Sequence, residues 1–269
     1  MGREGGGRVR LDSLLVQRGF FETRSRASAS VIAGEVILGP GRSRASKPGQ
    51  MVASDIEIAL EEKAGRYVSR GGVKLANALD SLHVDPSGRS ALDAGASTGG
   101  FTDCLLQRGA SRVLAVDVAY GELAWSIRND PRVEVRERTN ARSLVAGDTP
   151  WPVDLIVCDL SFISLTKVLP ALVGVASPGF DLLAMIKPQF EVGREAIGKG
   201  GVVRDPALRR SALVSVGEFA LSLGVDVCGY ASSGLPGPKG NLETFIHITD
   251  RTPARNLELI EELAATIEP

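Results

Sequence analysis

The sequence predicts a two-domain protein, in which a small α+β domain precedes a doubly wound α/β domain with seven strands. From about residue 90 onward, short apolar segments alternate with segments of helical periodicity. The first apolar segment leads directly into a glycine-rich turn that opens a helix. The first fifty residues differ from the rest in charge, and 269 residues are enough for one sizeable core plus a small appended domain.

The α/β domain is organised around residues 90–103, which read S-A-L-D-A-G-A-S-T-G-G-F-T-D. A short strand ends at Asp93, a turn of small residues follows, and helical spacing begins at Phe101. Glycine allows a backbone to approach a ligand closely, and the free N–H groups of a helix start bind carboxylate or phosphate. We therefore predict a nucleotide-like cofactor here, with contacts from Asp93, Gly95, Ser97, Thr98, Gly99, Gly100 and Phe101.

The spacing of this turn indicates which cofactor binds. A dinucleotide-binding turn has the pattern G-x-G-x-x-G, whereas this one reads G-x-x-x-G-G. About twenty residues later a second apolar strand ends at Asp117, where an acid receives ribose hydroxyls in doubly wound sheets. An ordinary tight turn with a solvated acid is the alternative. The combined pattern resembles the S-adenosylmethionine site of Rossmann-like class I methyltransferases. That resemblance adds Asn140, which follows the third strand, as a candidate adenine contact, with a turn or helix-capping role as its alternative.

Charge and spacing predict the domain boundaries. Residues 1–50 hold nine Lys or Arg against four Asp or Glu, so this part carries +5 in a chain whose formal net charge is −1. Such asymmetry suits a basic module that contacts a polyanion, although a solvated basic face is equally compatible. We expect a disordered tail over 1–9, the small domain over 10–60, a charged linker over 61–70, and the α/β domain over 71–269.

The composition argues against several other classes of protein. The three cysteines are widely separated and lie in apolar segments, which indicates reduced core residues of a cytoplasmic protein. The two histidines have no neighbours at metal-ligand spacing, so we expect no metal. No apolar segment approaches the ~20 residues of a membrane span, and the glycine-rich start resembles no secretion signal.

The N-terminal segment has a pattern of its own. Two short helices, at 11–18 and from residue 23, precede strands at 34–38 and 55–60, with K-P-G at 47–49 between the strands. The motifs R-L-D-x-L-L-x-x-R-G and T-R-S-R-A-x-x-x-I-x-x-G-x-V resemble an S4 RNA-binding domain, although the turn L-G-P-G at 38–41 departs from its usual form. In that family basic residues contact structured RNA, largely through shape and phosphate. The matching positions here are Arg10, Arg18, Arg24, Arg26 and Lys47.

Charged residues stand where several elements of the α/β domain should meet the ligand edge. Buried strands at 153–158 and 181–186 end at Asp159 and Lys187. A helix from residue 71 carries Lys74, and the final strand, at 241–248, contains Glu243. The remaining elements are predicted as helices at 122–127, 205–223 and 255–267 and strands at 133–135 and 225–230.

The order K-D-K-E resembles the catalytic tetrad of FtsJ-like ribose 2′-O-methyltransferases. That resemblance implies that Lys187 is the main base or alkoxide stabiliser and that Asp159 lies near the methyl donor and orients Lys187. Lys74 and Glu243 would complete the charge network. Enzymes that methylate base nitrogens commonly carry an Asn/Asp-Pro-Pro-aromatic motif after strand four, whereas D-L-S-F stands here, which favours a hydroxyl target.

Further motifs, S-R-G-G-x-K-L, R-T-N-A-R, D-L-S-F-I-S-L, K-P-Q-F-E-V-G and G-x-x-G-N-x-E, resemble the TlyA family over almost the whole chain. The resemblance implies 2′-O-methylation of cytidine in ribosomal RNA, 23S in the 50S subunit and in some members also 16S in the 30S subunit. It also implies an effect on sensitivity to capreomycin-type antibiotics. Family linkers can carry a tryptophan where this chain has Tyr67. The alternatives are a non-catalytic RNA-binding or ribosome-assembly factor, a small-molecule O-methyltransferase, and a membrane-active hemolysin, a label that the family also bears.

Overall fold

The structure is a computed structural model that describes residues 7–21, 23–32, 36–41, 43–60, 66–198, 200–251 and 257–268. The chain divides into two compact units, Met1–Gly65 and Arg66–Pro269. Residues 66–69, which we had predicted as linker, belong to the second unit, where the Tyr67 side chain is buried in a core.

The first unit combines two helices with short strands. Its elements are β1 (Arg8–Arg10), α1 (Leu11–Gln17), α2 (Arg24–Ile32), β2 (Val36–Leu38), β3 (Ser43–Arg44), β4 (Met51–Ala53) and β5 (Ile58–Leu60). Strand β1 pairs with β4, and the other three form a sheet in the order β3-β2-β5. Leu11, Leu14 and Leu15 of α1 pack with Ala27 and Val31 of α2 because the apolar residues of each helix recur on one face.

Three predictions for this unit were wrong in detail. Residues 8 and 9 are not part of a disordered tail, because backbone pairing with Met51–Ala53 makes them a strand. The final strand begins at Ile58 rather than at Asp55, which lies in a turn. Strands β3 and β4 were missed because segments of two or three residues are too short to show alternation. Residues 1–6 and the start of the predicted strand at 34–38 lie outside the described residues.

The second unit alternates strands and helices. Its elements are α3 (Arg70–Ser81), β6 (Ser90–Ala94), α4 (Gly100–Gln107), β7 (Arg112–Val116), α5 (Trp125–Arg128), β8 (Val133–Arg136), β9 (Val153–Cys158), α6 (Leu169–Val175), β10 (Ala176–Ile186), α7 (Pro188–Glu191), α8 (Pro206–Ser222), β11 (Asp226–Ser232), β12 (Thr244–Thr249) and α9 (Leu257–Ile267). Short 3-10 helices occupy Ala141–Ser143, Leu165–Lys167 and Arg194–Ala196. Residues 122–124, predicted as helical, precede the four-residue helix α5 instead.

Seven strands form one sheet in the order β11-β12-β10-β9-β6-β7-β8, which confirms the predicted fold class. Strands β10, β9, β6, β7 and β8 pair in parallel, and β12 lies antiparallel between β10 and β11. The chain builds outward from β6 through β7 to β8 and then crosses to β9 on the other side. The carboxyl ends of β6 and β9 therefore flank the point where the strand order reverses, which is where doubly wound sheets bind ligands.

Apolar residues cover both faces of this sheet. Alternate strand residues point to opposite faces, so Ile156 and Cys158 lie in one core and Leu155 and Val157 in the other. This burial explains why β9 is almost continuously apolar. None of the three cysteines, all of which lie in the described part of the chain, forms a disulfide bond; Cys104 and Cys158 are buried and Cys228 is half-buried.

Candidate active site

The ends of β6 and β9 are joined tightly at the reversal of strand order. The amide of Asp159 donates a hydrogen bond of 3.0 Å to the carbonyl of Ala94. Gly95 has a φ of +95°, and a Cβ there would lie 2.5 Å from the carbonyl oxygen of Asp159. This position therefore needs glycine both for its left-handed backbone and for the close approach of the next strand.

The last two glycines of the turn are required by the protein's own packing. Gly99 has a φ of +93°, and a Cβ there would approach Leu123 to 2.9 Å. At Gly100 a Cβ would collide with the Ser69 hydroxyl and lie 2.9 Å from the amide of Gly72, at the start of α3. The backbones of helices α3 and α4 are thus in direct contact. Gly99 and Gly100 lack a side chain because neighbouring protein atoms fill the space beside them, and not to leave room for a ligand.

Phe101 and Thr98 differ in where they lie. The ring of Phe101 is buried and packs on Phe245 at 5.8 Å between centroids. The first turn of α4 thus directs the ring into the core, so that a contact of Phe101 with a cofactor would come from its backbone. Thr98 is exposed, and its carbonyl accepts a hydrogen bond of 3.1 Å from the amide of Ala124.

Two aspartates flank the turn in different environments. Asp93 is fully buried, and one carboxylate oxygen accepts a hydrogen bond of 2.6 Å from the Thr102 hydroxyl while the other has no hydrogen-bond partner among the described residues. Burial, together with the nearby carboxylates of Asp159 and Asp117, raises the pKa of Asp93 to about 7 against the opposing effect of the Thr102 hydrogen bond. The Asp117 carboxylate accepts hydrogen bonds from the amides of Ser97 at 2.7 Å and Ala119 at 2.8 Å, which ties the turn to the end of β7.

Asn140 lies after β8 and is exposed. Its side-chain oxygen accepts a hydrogen bond of 3.0 Å from the amide of Arg142 and caps the 3-10 helix Ala141–Ser143. The capping role that we had considered as the alternative is therefore observed.

The carboxyl ends of β9 and β10 bring Asp159 and Lys187 together. The Lys187 ammonium lies 2.6 Å from a carboxylate oxygen of Asp159, as an ion pair that lacks the alignment of a hydrogen bond. It also donates a hydrogen bond of 2.9 Å to the Ser161 hydroxyl. The side chains of Lys187 and Asp159 are 11% and 26% exposed, so the pair is sheltered yet reachable from solvent.

A second lysine–carboxylate pair joins α3 to the start of the last strand. The Lys74 ammonium donates a hydrogen bond to Glu243, and the two side chains are only 9% and 2% exposed. Both pairs line one cavity of about 490 Å³, to whose wall Ser161 and Phe162 also contribute. The structure thus gathers Lys74, Asp159, Lys187 and Glu243, which are far apart in sequence, around a common space.

Sequence analysis missed three residues of this region. Ser161 contacts Lys187, and Glu191 accepts hydrogen bonds from Ser164 and Leu165. Asn241 is buried and joins two loops, accepting from the amide of Val203 at 2.9 Å and donating to the carbonyl of Gly201 at 2.8 Å. All three lie in the motifs quoted above, yet a motif alone does not indicate which of its polar residues contact each other.

The basic residues of the first unit are not equivalent. Arg10 and Arg24 both donate to the buried carboxylate of Asp12, at 2.7 Å and 3.0 Å, and hold its pKa well below its usual range. Arg18 donates to the carbonyls of Ile56 and Ser54, which gives this side chain a structural role. Lys47 is exposed and Arg26 is half-buried.

The antiparallel last strand, β12, lies between β10 and β11, and a glycine turn follows β6. Together these features define a Rossmann-like class I methyltransferase. The FtsJ-like methyltransferase family matches residues 67–249, and this chain belongs to that family.

Relatives at high identity extend the similarity to the rest of the chain. The chain is 48% identical to the 16S/23S rRNA (cytidine-2′-O)-methyltransferase TlyA of Mycobacterium tuberculosis, over 91% of each protein. It is 36% identical to Hemolysin A of Brachyspira hyodysenteriae, over 89% of this chain and 99% of that protein. A solved structure from Streptococcus thermophilus that is described as a hemolysin superimposes on this chain with a TM-score of 0.72 at 39% identity. The match covers 96% of this chain and 95% of the other.

The described parts of the chain contain neither a membrane-spanning helix nor a metal-binding cluster. No helix there is both long enough and apolar enough to cross a membrane. Nor do those residues include a group of three or more His, Cys, Asp or Glu side chains that could hold a metal ion.

Proposed function

We propose that this protein transfers a methyl group from S-adenosylmethionine to the ribose 2′-oxygen of a cytidine in ribosomal RNA. The observation that supports this most strongly is the contact of Lys187 with Asp159 and Ser161 at the reversal of strand order, beside the cavity that it shares with Lys74 and Glu243. The name of the Mycobacterium tuberculosis relative supplies the nucleotide and the RNA class.

The chain's residues fit a bound S-adenosylmethionine. That cofactor supplies a methyl group on a positively charged sulfur. Asp117 lies at the end of β7, where ribose hydroxyls are received, and it lines a small depression together with Ser97 and Glu122, whose side chains are joined by a hydrogen bond of 3.3 Å from the Ser97 hydroxyl. The buried, unpartnered oxygen of Asp93 is a second polar group on this side of the turn. We propose that Gly95, Ser97, Thr98, Gly99 and Gly100 contribute backbone to this site.

Lys187 can supply the base or cation that methylation of a hydroxyl group requires. A ribose 2′-OH is too weak an acid to react at neutral pH without a base or a cation beside it. An ammonium group has three N–H donors, of which Ser161 accepts one, while Asp159 holds the Lys187 ammonium as an ion pair. As an ammonium, Lys187 would donate another N–H to the 2′-oxygen and stabilise the negative charge that develops there; as a neutral amine, it would accept the proton of the 2′-OH. Asp159 orients the lysine, and the Lys74–Glu243 pair extends the charge network along the cavity wall.

Phe162 offers a surface for the target base. Its ring is 92% exposed, although large apolar side chains are usually at least partly covered. Its φ of +65° is rare outside glycine, and the ring contacts Phe190 at 5.4 Å between centroids. An exposed aromatic ring at the cavity mouth suits stacking by a base taken out of an RNA helix.

The first unit would supply contacts to the RNA backbone. Lys47 and Arg26 are the strongest candidates, and Arg10 and Arg24 can contribute from their exposed side of Asp12. We expect the reaction on assembled or assembling ribosomal subunits in the cytoplasm. As the family resemblance implies, the proposal includes 23S RNA as substrate, 16S RNA as a second substrate, and an effect on capreomycin sensitivity.

The test is transfer of tritium from labelled S-adenosylmethionine into purified 50S and 30S subunits. Lys187→Ala should reduce the rate by about 10²–10⁴-fold, the usual contribution of a positioned acid or base. Lys167→Ala changes an exposed lysine outside the cavity and should match the wild type. Label in one or both subunits identifies the RNA substrate.

Two outcomes would contradict the proposal. Cofactor binding without label in either subunit would point to another RNA or to a small-molecule substrate. Absence of cofactor binding would leave a non-catalytic RNA-binding factor.

A further inference from the structure

Two segments run side by side beside the cavity. One is 159–165, which follows β9, and the other is 187–191, which follows β10. Successive contacts join them: Lys187 to Asp159 and Ser161, then Phe190 to Phe162, and finally Glu191 to Ser164 and Leu165. The proposed methyl transfer uses the contacts of Lys187, but it assigns no role to the contacts of Glu191.

Glu191 makes two well-formed hydrogen bonds across the segments. One carboxylate oxygen accepts from the Ser164 hydroxyl at 2.6 Å and the other from the amide of Leu165 at 2.9 Å. The Ser164 hydroxyl oxygen in turn accepts from the amide of Thr166 at 3.2 Å and caps the 3-10 helix Leu165–Lys167. Glu191 is half-buried, and burial raises the pKa of its carboxyl group. The far end of segment 159–165 is thus fixed to the end of α7.

Segment 159–165 needs such a constraint because it contains a strained residue. Phe162 has a left-handed backbone, which costs of order 1–3 kcal/mol for a residue other than glycine and persists only when the surroundings hold it. Asp159 is anchored at one end of the segment by its amide and by Lys187. Glu191 anchors the other end, so Ser161 and Phe162 lie between two fixed points.

We infer that Glu191 is a positioning residue that holds segment 159–165 in the conformation presenting Asp159, Ser161 and Phe162 to Lys187 and the substrate. This inference rests on the methyl transfer proposed above. Glu191 lies beyond the group of residues that line the cavity and acts through the segment that it binds. A displacement of about 1 Å at a catalytic group can cost ~10²-fold in rate, so the loss of this contact is expected to be visible in kinetics.

The experiment compares Glu191→Ala with Glu191→Gln in the full-length protein. Glutamine can accept from Leu165 with its oxygen and donate to the Ser164 hydroxyl with its amide, whereas alanine does neither. We expect alanine to lower kcat for methyl transfer by ~10–100-fold with the cofactor Kd changed by less than about 3-fold. Glutamine should stay within about 3-fold of the wild type. Glu218→Ala, at an exposed position of α8, is the matched control.

Hydrogen–deuterium exchange of the peptide 160–168 provides a readout that is independent of turnover. Exchange should accelerate at least ~10-fold in Glu191→Ala, because the Leu165 amide loses its acceptor, and remain near wild type in Glu191→Gln. Wild-type kinetics or unchanged exchange in the alanine variant would overturn the inference. Equal loss of kcat in both variants would overturn it too, because the negative charge would then matter more than the hydrogen bonds.

The same data separate this inference from the proposed function. If the wild type transfers no methyl group to either subunit, the proposed function fails, while the exchange rates still decide whether Glu191 holds the segment. A variant that loses cofactor binding and folded structure together with activity would count against a positioning role.

Discussion

Asp93 and Asp181 are both buried aspartates of the central sheet, on the two strands that flank β9, but they differ in their partners. Asp181 contacts three basic groups, Arg89, Arg251 at 2.7 Å and His247 at 2.8 Å. Against the opposing effect of burial, His247 and Arg89 lower its pKa to about 2. Asp93 has one hydrogen-bond donor, Thr102, and a pKa raised to about 7. The completely partnered charge of Asp181 indicates a structural role, whereas Asp93 keeps one carboxylate oxygen without a partner among the described residues.

Removing the structural carboxylate should have the largest effect on stability. Asp181→Ala leaves Arg89 and His247 without their acidic partner inside the fold, and the loss of a buried ion-pair member costs about 3–5 kcal/mol. We expect the urea midpoint of the second unit to fall accordingly. Asp130→Asn, which alters an aspartate paired with Arg132 near the surface, should change the free energy of unfolding by less than about 1 kcal/mol. Equal losses of stability in Asp181→Ala and Asp130→Asn would contradict the structural role of Asp181.

The buried Lys74–Glu243 pair sharpens the comparison because it is buried like Asp181 and is also part of the proposed mechanism. Lys74→Met leaves Glu243 charged and unpaired, and should cost about 3 kcal/mol of stability. The double variant Lys74→Met with Glu243→Met should recover to within about 1 kcal/mol of the wild type, because apolar replacements of a buried pair are often nearly neutral. Methyl transfer should remain low in both. Recovery of activity in the double variant would remove the pair from the proposed mechanism.

The pH dependence of unfolding should have opposite signs for the two aspartates. The pKa of Asp181 is lowered in the fold from 3.8 to about 2, so its contribution to stability is present above pH 4 and is lost as the pH falls toward 2. The pKa of Asp93 is raised from 3.8 to about 7, so its contribution is complete below pH 4 and is lost as the pH rises through 7.

Asp93→Asn isolates the second of these effects. Its stability relative to the wild type should be about 3–4 kcal/mol higher at pH 8 than at pH 4, because the amide carries no charge to bury, whereas its extra unpaired donors act equally at both pH values. Urea denaturation at the two pH values measures the difference. Equal destabilisation at both would show that the Thr102 contact, rather than the buried charge, governs this site.

The sequence predicted the parts of the site that follow from strand geometry. The carboxyl ends of parallel strands converge, so apolar segments ending at Asp159 and Lys187 were enough to place both residues at one edge. The contacts of the other side chains depend on packing that no local pattern shows. Gly99 and Phe101 share a motif that suggests a ligand, yet they face the protein's own interior.

Contacts between residues far apart in sequence could not be predicted either, because they also depend on packing that no local pattern shows. Arg18 stands in a basic segment and was predicted to contact RNA, but its acceptors are carbonyls 36 and 38 residues away in sequence. Glu191 was noted only as part of a motif, because its partners come from another loop.

The backbone contact between Gly72 and Gly100 couples the two halves of the site. Lys74 lies two residues after Gly72 on α3, and the Ser69 hydroxyl and the Gly72 amide fill the space beside Gly100. We expect a ligand bound at the turn to shift the position of the Lys74 ammonium through this contact. Thermodynamic reciprocity then requires that whatever engages Lys74 changes the affinity of the turn by the same factor. Cofactor and RNA would in this way favour each other's binding through one helix.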